Sequence, residues 1–298
     1  MKNLISAIMI AFGIMATSAQ AKLNVVASSS DLAAIAKSIG GDLVSAKYIV
    51  DGRSDPHFIE VLPSYMVMVT RADVYLKIGL GLDFWAQPII DGSRNGRLKI
   101  VDCSRGISVL EKSSEPVNAS MGDVHPQGNP HYWLDPANAL IMAHNIAEGL
   151  AASDPANAGA YNDGLAKFTE LLNDKIVTWQ QDAAPLQGIQ IITYHNSWPY
   201  FCRAFGIKVA GFVEPKPGIE PTASHTAEII DLVKAQGIRV IGKEPYFSDK
   251  APKSIAAATG ALVIDLPPSV SGAPGMDDYF SLIDTLIARL LAAAGSNP

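Results

Sequence analysis

Cysteine is nearly missing from this chain, with only Cys103 and Cys202 among 298 residues. Two thiols so far apart make no disulfide framework. They read as separate buried thiols, with pairing in an oxidising compartment as the alternative. A basic excess is also missing: the formal net charge is −6, which argues against a nucleic-acid partner, because a basic patch is the usual footprint there. Beyond the first 21 residues no stretch approaches ~18 unbroken apolar residues, so no membrane span is expected. Self-similarity at a period of ~20–50 residues is absent, which excludes a solenoid. There is no HExxH helix and no nucleophile elbow, the two motifs that would most directly announce a hydrolase.

What the chain does contain begins at its first residues. Lys2 precedes an apolar run from Leu4 to Met15, and Ala19-Gln20-Ala21 supplies the small residues that a signal peptidase prefers. Residues 1–21 are therefore expected to be a cleaved signal peptide that sends the protein to the periplasm. No cysteine stands at the cleavage point, so no lipid anchor is expected there.

The remainder alternates between short apolar runs and amphipathic stretches. "KLNVVASSS", "LVSAKYIV", "DVYLKIGLG" and "RLKIVDC" read as strands, and "DLAAIAKSIGG" and "PSYMVMVTRA" as helices between them. The same rhythm returns with strands "IQIITYH", "IKVAGFV", "IRVIGKEP" and "ALVIDLP" and helices "SHTAEIIDLVKAQG", "DKAPKSIAAATG" and "DYFSLIDTLIARLLAAAG". This alternation predicts an α/β fold with two lobes, each a parallel sheet with covering helices. Between the lobes the chain is helical from about Ala137 to Thr178, with a break near residues 153–157. The expected organisation is an N-terminal lobe over 22–154, a linking helix over 155–182 and a C-terminal lobe over 183–298. Residues 111–130, rich in Ser, Pro, Gly and Asn, form a long loop, and a loop of that length in a compact domain is functional or disordered.

Six histidines occur. His144 lies within a predicted helix and His225 near the start of another, and both read as structural. His125 belongs to the long loop and carries no fixed role. His57 and His131 both follow proline and precede an aromatic residue, in "SDPHFIEVLPS" and "NPHYWLDPANA". His195 directly follows the strand "IQIITY", at the carboxyl end where open α/β sheets place their ligands. Three imidazoles from two lobes that flank a crevice point to a metal site, since neutral imidazole binds zinc and other first-row ions.

These motifs, together with "ITYHNSWPYFCRAFGIKV" and "EPKPGIEPTASHTAEIIDLVK", resemble in order and combination the zinc- and manganese-binding periplasmic receptors of ABC importers, the cluster A-I solute-binding proteins. The resemblance covers nearly all of residues 22–298. It implies two α/β lobes joined by one long rigid helix and a metal ion in the cleft, held by His57, His131 and His195. It also implies small lobe tilts and loop ordering on binding, and the hypothesis that follows is that metal orders loop 111–130 and so marks the loaded form for the permease. Implied partners are a divalent metal ion and the membrane permease of an ABC importer, for a monomeric receptor that is not an enzyme. The family's fourth ligand is often a carboxylate near the last strand, but Pro267 stands at that position here. Glu244, just past a strand end, ranks first as a replacement, Asp265 second and water third.

Three imidazoles with one oxygen suit tetrahedral Zn(II), whereas Mn(II) favours more oxygen ligands. Zn(II) is thus the expected transported ligand and Mn(II) the alternative, with no organic cofactor. A secreted zinc hydrolase is the competing class, because catalytic zinc also keeps three protein ligands and an activated water.

Overall fold

The computed structural model describes residues 21–112 and 125–295. The expected signal peptide, apart from Ala21, and residues 113–124 of the expected long loop lie outside the described residues.

The first lobe opens with β1 (Leu23–Ser29), an apolar run buried along nearly its whole length. Such continuous burial belongs to a parallel strand covered on both faces. Ser29 ends the strand and caps α1 (Ser30–Gly40), its side chain accepting from the Leu32 N–H. That bond satisfies one of the helix's unpaired amides. β2 (Val44–Val50) follows, then α2 (Pro63–Thr70), which begins on proline. The lobe continues through β3 (Val74–Lys77), α3 (Ala86–Ser93) and β4 (Lys99–Asp102). Its sheet runs β2-β1-β3-β4, all parallel.

Asp135 accepts the Ala137 N–H and Pro136 supplies the first turn of α4 (Pro136–Ser153). A break at residues 154–157 precedes α5 (Ala158–Asp182), 25 residues and so about 37 Å long. The second lobe then builds β5 (Gln190–Thr193), α6 (Pro199–Phe205), β6 (Lys208–Phe212), α7 (Ala223–Gln236), β7 (Val240–Lys243), α8 (Lys250–Thr259), β8 (Leu262–Asp265) and α9 (Tyr279–Gly295). Its sheet runs β6-β5-β7-β8, again all parallel, so both lobes share one strand order. In each, the order reverses beside the first strand, which opens a crevice at the carboxyl ends.

The expected fold class is the observed one: two parallel sheets, each flanked by helices, with the long helix α5 between them. Two helices were absent from the sequence reading. α3 has no side-chain cap and carries Gly92 inside it, and α6 spans only seven residues. The seven residues of α6 are too few to display a helical period.

One apolar core runs through both lobes, from Val25 and Leu76 through Leu150, Phe168 and Trp179 to Tyr279 and Leu286. Two smaller cores pack α2 and α3 against the first sheet and α7 and α8 against the second. Cys103 and Cys202 are both buried, free thiols. Among the described residues no helix is long and apolar enough to cross a membrane.

Candidate functional site

His57 and His131 are placed by the same local device. Asp55 Oδ1 accepts the His57 backbone N–H at 3.0 Å and lies 2.7 Å from its Nδ1. Asn129 Oδ1 stands 3.0 Å from both the His131 backbone nitrogen and its Nδ1. Each is an Asx turn, in which the side-chain oxygen closes on the chain two residues ahead. The intervening prolines, Pro56 and Pro130, hold the backbone for it. The sequence reading saw Pro-His-aromatic twice; the longer shared pattern, Asx-Pro-His, was the signal it passed over.

His195 is placed by the second sheet. Thr193 pairs with Phe212 of β6 on one side and with Gly242 of β7 on the other. Two residues further on, parallel register sets His195 between Glu214 and Glu244, at the carboxyl ends of three neighbouring strands. Glu214 Oε1 lies 2.5 Å from His195 Nδ1, and its Oε2 accepts the Gly218 N–H at 3.1 Å. Glu214 is buried and far from His195 in sequence, and the sequence reading missed it.

The three imidazoles meet. Ring centroids are 5.2 Å apart for His57 and His131, 5.0 Å for His57 and His195, and 5.4 Å for His131 and His195. One nitrogen from each lies within 4.8 Å of the other two, and all three rings are buried. Burial, reinforced by the neighbouring imidazoles, holds His131 well below the usual histidine range, so its ring is neutral and keeps a lone pair. For His195, burial pulls downward, but the hydrogen bond and charge of Glu214 outweigh it and the net direction is upward. The two rings are thus pulled in opposite directions, His131 toward the neutral form and His195 toward the charged one.

Glu244 is fully buried but does not join the group of three within that distance. Its Oε1 accepts the Trp198 indole N–H at 2.9 Å, while Oε2 has no hydrogen-bond partner among the described residues. Burial pushes its carboxyl up to about 7. Asp265 is engaged elsewhere, 2.8 Å from Lys243 Nζ. The His125 ring, left without a role by the sequence, stands 5.3 Å from that of His57. Glu111, His125, Asn129, His131, His195 and Asn196 line a cavity of about 140 Å³, room for an ion and a few waters. His144 lies on α4 as expected. His225, in the first turn of α7, sits 3.0 Å from the Phe212 carbonyl through Nε2, a structural contact.

The profile of one family, ZnuA, described as zinc-uptake complex component A, periplasmic, matches residues 25–293. The manganese ABC transporter substrate-binding lipoprotein PsaA of Streptococcus anginosus is 27% identical over 279 residues, 90% of this chain and 87% of that protein. The manganese-binding lipoprotein MntA of Halalkalibacterium halodurans is 30% identical over 219 residues, 71% of this chain and 67% of that protein. A crystal structure of ZnuA aligns with a TM-score of 0.80 at 29% identity, covering 92% of this chain and 100% of that one.

Proposed function

Since the chain belongs to the periplasmic zinc-uptake component A family, it is an extracytoplasmic metal-binding receptor of an ABC importer, and we propose that the ion it carries is Zn(II), held by His57, His131 and His195. The observation that carries the assignment is the meeting of three buried imidazoles, two from one lobe and one from the other, each with its Nδ1 beside a protein oxygen. The protein is a solute-binding protein and not an enzyme, which sets aside the hydrolase reading.

Zinc is favoured over manganese by the chemistry of the donors. Three nitrogens and one further ligand make the tetrahedral set that Zn(II) adopts, while Mn(II) prefers oxygen and a higher coordination number. The second reading, Mn(II), draws on the relatives PsaA and MntA, both named for manganese.

For the fourth position Glu244 remains the first choice, because a buried carboxylate with one unengaged oxygen stands beside His195. Its distance from the group of three means that it would have to shift toward the ion. Asp265 falls behind it, tied to Lys243. His125 becomes a candidate through its place next to His57, and water remains another.

The finer organisation follows the same reading: a signal peptide over 1–21 cleaved after Ala21, lobes over 22–154 and 183–298, and a linking helix over 155–182. The receptor acts as a monomer in the periplasm and delivers its ion to the permease of the importer. The shared core and the long α5 support small tilts of the lobes rather than wide closure.

Competition titration of the metal-stripped mature chain with Zn²⁺ and Mn²⁺ tests the proposal. Tight one-to-one zinc binding, stronger than manganese and lost in His131→Ala, is the expected result. Equal behaviour of His131→Ala and wild type would overturn the site, and preference for manganese would overturn the choice of ion.

A further inference from the structure

Behind the three imidazoles stand Asp55, Asn129 and Glu214, and their hydrogen bonds leave each ring only one way to carry its proton. An ionised carboxylate accepts and cannot donate. The proton between Asp55 and His57, 2.7 Å apart, therefore sits on His57 Nδ1, and the one between Glu214 and His195, 2.5 Å apart, on His195 Nδ1. Asn129 has an amide with a donor and an acceptor end, and its surroundings choose between them. Its Nδ2 donates to the Asn196 carbonyl at 2.8 Å and to Glu111 Oε2 at 3.1 Å, both acceptors. Its Oδ1 is thereby turned to His131, where it takes the backbone N–H and the Nδ1–H, each at 3.0 Å. Asn196 is the neighbour of His195, so the second lobe helps to set the proton on a histidine of the first.

We infer that Asp55, Asn129 and Glu214 are positioning residues that lock His57, His131 and His195 as Nδ1–H tautomers, so that three Nε2 lone pairs converge on one ion. The inference rests on the metal-receptor reading and goes beyond it by naming the groups that prepare the donors before the ion arrives. The two ring nitrogens of histidine are distinct, and the bond made by one decides what the other can do. A partner oxygen on Nδ1 also makes Nε2 a better donor, and removing such partners costs 10- to 100-fold in metal affinity in characterised sites. Two carboxylates behind the rings add charge that balances a divalent cation, while the amide of Asn129 adds none.

Glu214 is the residue to test. Asp55 and Asn129 also hold the main chain of their histidines, so replacing them would disturb a loop as well as a proton. The Glu214 side chain hydrogen-bonds the ring of His195 and the Gly218 N–H, and holds no backbone group of the histidine itself among the described residues. Long-range ¹H–¹⁵N spectra of histidine-labelled, metal-free protein at pH 8 report each tautomer directly. Wild type is expected to show His57, His131 and His195 as Nδ1–H tautomers. In Glu214→Ala, His195 is expected to lose its single tautomer and zinc affinity to fall about 10- to 100-fold. Glu214→Gln keeps an oxygen for the ring and should retain the tautomer and recover most of the affinity.

A wild-type His195 with its proton on Nε2 would overturn the inference without any variant, even if Glu214→Ala failed to fold. Zinc bound equally well by wild type and Glu214→Ala, with the His195 tautomer unchanged, would overturn it too. A wild type that takes up no zinc is a different result: it removes the metal reading itself and this inference with it.

Discussion

Asp31 Oδ1 accepts the backbone N–H of Val270 at 2.9 Å, although 239 positions separate the two residues. The neighbouring Ser30 hydroxyl donates to the Val270 carbonyl at 2.7 Å, and the Trp133 indole donates to the Pro268 carbonyl at 2.7 Å. The segment after β8 is thus tied to the first lobe by side chains of α1 and of the turn that follows His131. Burial raises the Asp31 carboxyl from 3.8 to about 6. Its folded value lies above its unfolded one, so its contribution is fully present below about pH 4 and is lost as pH rises through 6. The shift corresponds to about 3 kcal/mol. Asp31→Asn keeps the acceptor for Val270 and removes the charge. Its urea midpoint should equal or exceed that of wild type at pH 8, with a shallower decline between pH 4 and 6. Identical pH profiles for the two proteins would contradict this account.

Metal binding should stabilise the fold by mass action. At free zinc a thousand times the dissociation constant the gain is about 4 kcal/mol, which for a chain of this size raises the melting temperature by roughly 10 °C. His57→Ala should melt at the same temperature with and without zinc. An undiminished shift in that variant would remove His57 from the site.

Glu244 has two separable roles. Glu244→Ala leaves the buried Trp198 N–H without its acceptor, at a cost of about 1–3 kcal/mol in denaturant unfolding. Glu244→Gln keeps an acceptor and most of the shape, and should cost less than about 1 kcal/mol. If the carboxylate is the fourth donor, Glu244→Gln should nevertheless bind zinc at least tenfold more weakly in a competition titration. Unchanged affinity would pass the fourth position to His125 or to water.

Gly164, in the second turn of α5, allows that helix to lie against the end of α1. A Cβ at this position would meet the Ile39 carbonyl oxygen, a backbone atom that cannot swing aside. Gly164→Ala should therefore destabilise the protein by about 1–3 kcal/mol through overcrowding, despite alanine's better helix propensity. Chemical denaturation measures the difference directly, and a stabilised variant would show that the two helices can separate without loss.

The sequence by itself determined the eight strands, all but two of the helices between them, the break before the long helix, and the three histidines that the structure brings together. Those features are written in short-range periods and in caps such as Asp135-Pro136, where neighbours in the chain decide the outcome. The Asx-Pro-His turns were legible in principle, since Asp55 and Asn129 stand two residues before their histidines. Glu214 was not legible, because nothing in "GFVEPKPG" points to a histidine nineteen residues earlier. Parallel pairing of β5 with β6 and β7 brings His195, Glu214 and Glu244 to one level, and only the assembled sheet contains that information. The same holds for the engagement of Asp265 with Lys243, whereas the separate buried thiols Cys103 and Cys202 are as the sequence led one to expect. Local pattern sets which elements form. Which side chains meet at the cleft depends on strand order and register, which arise when the lobes pack around their shared core.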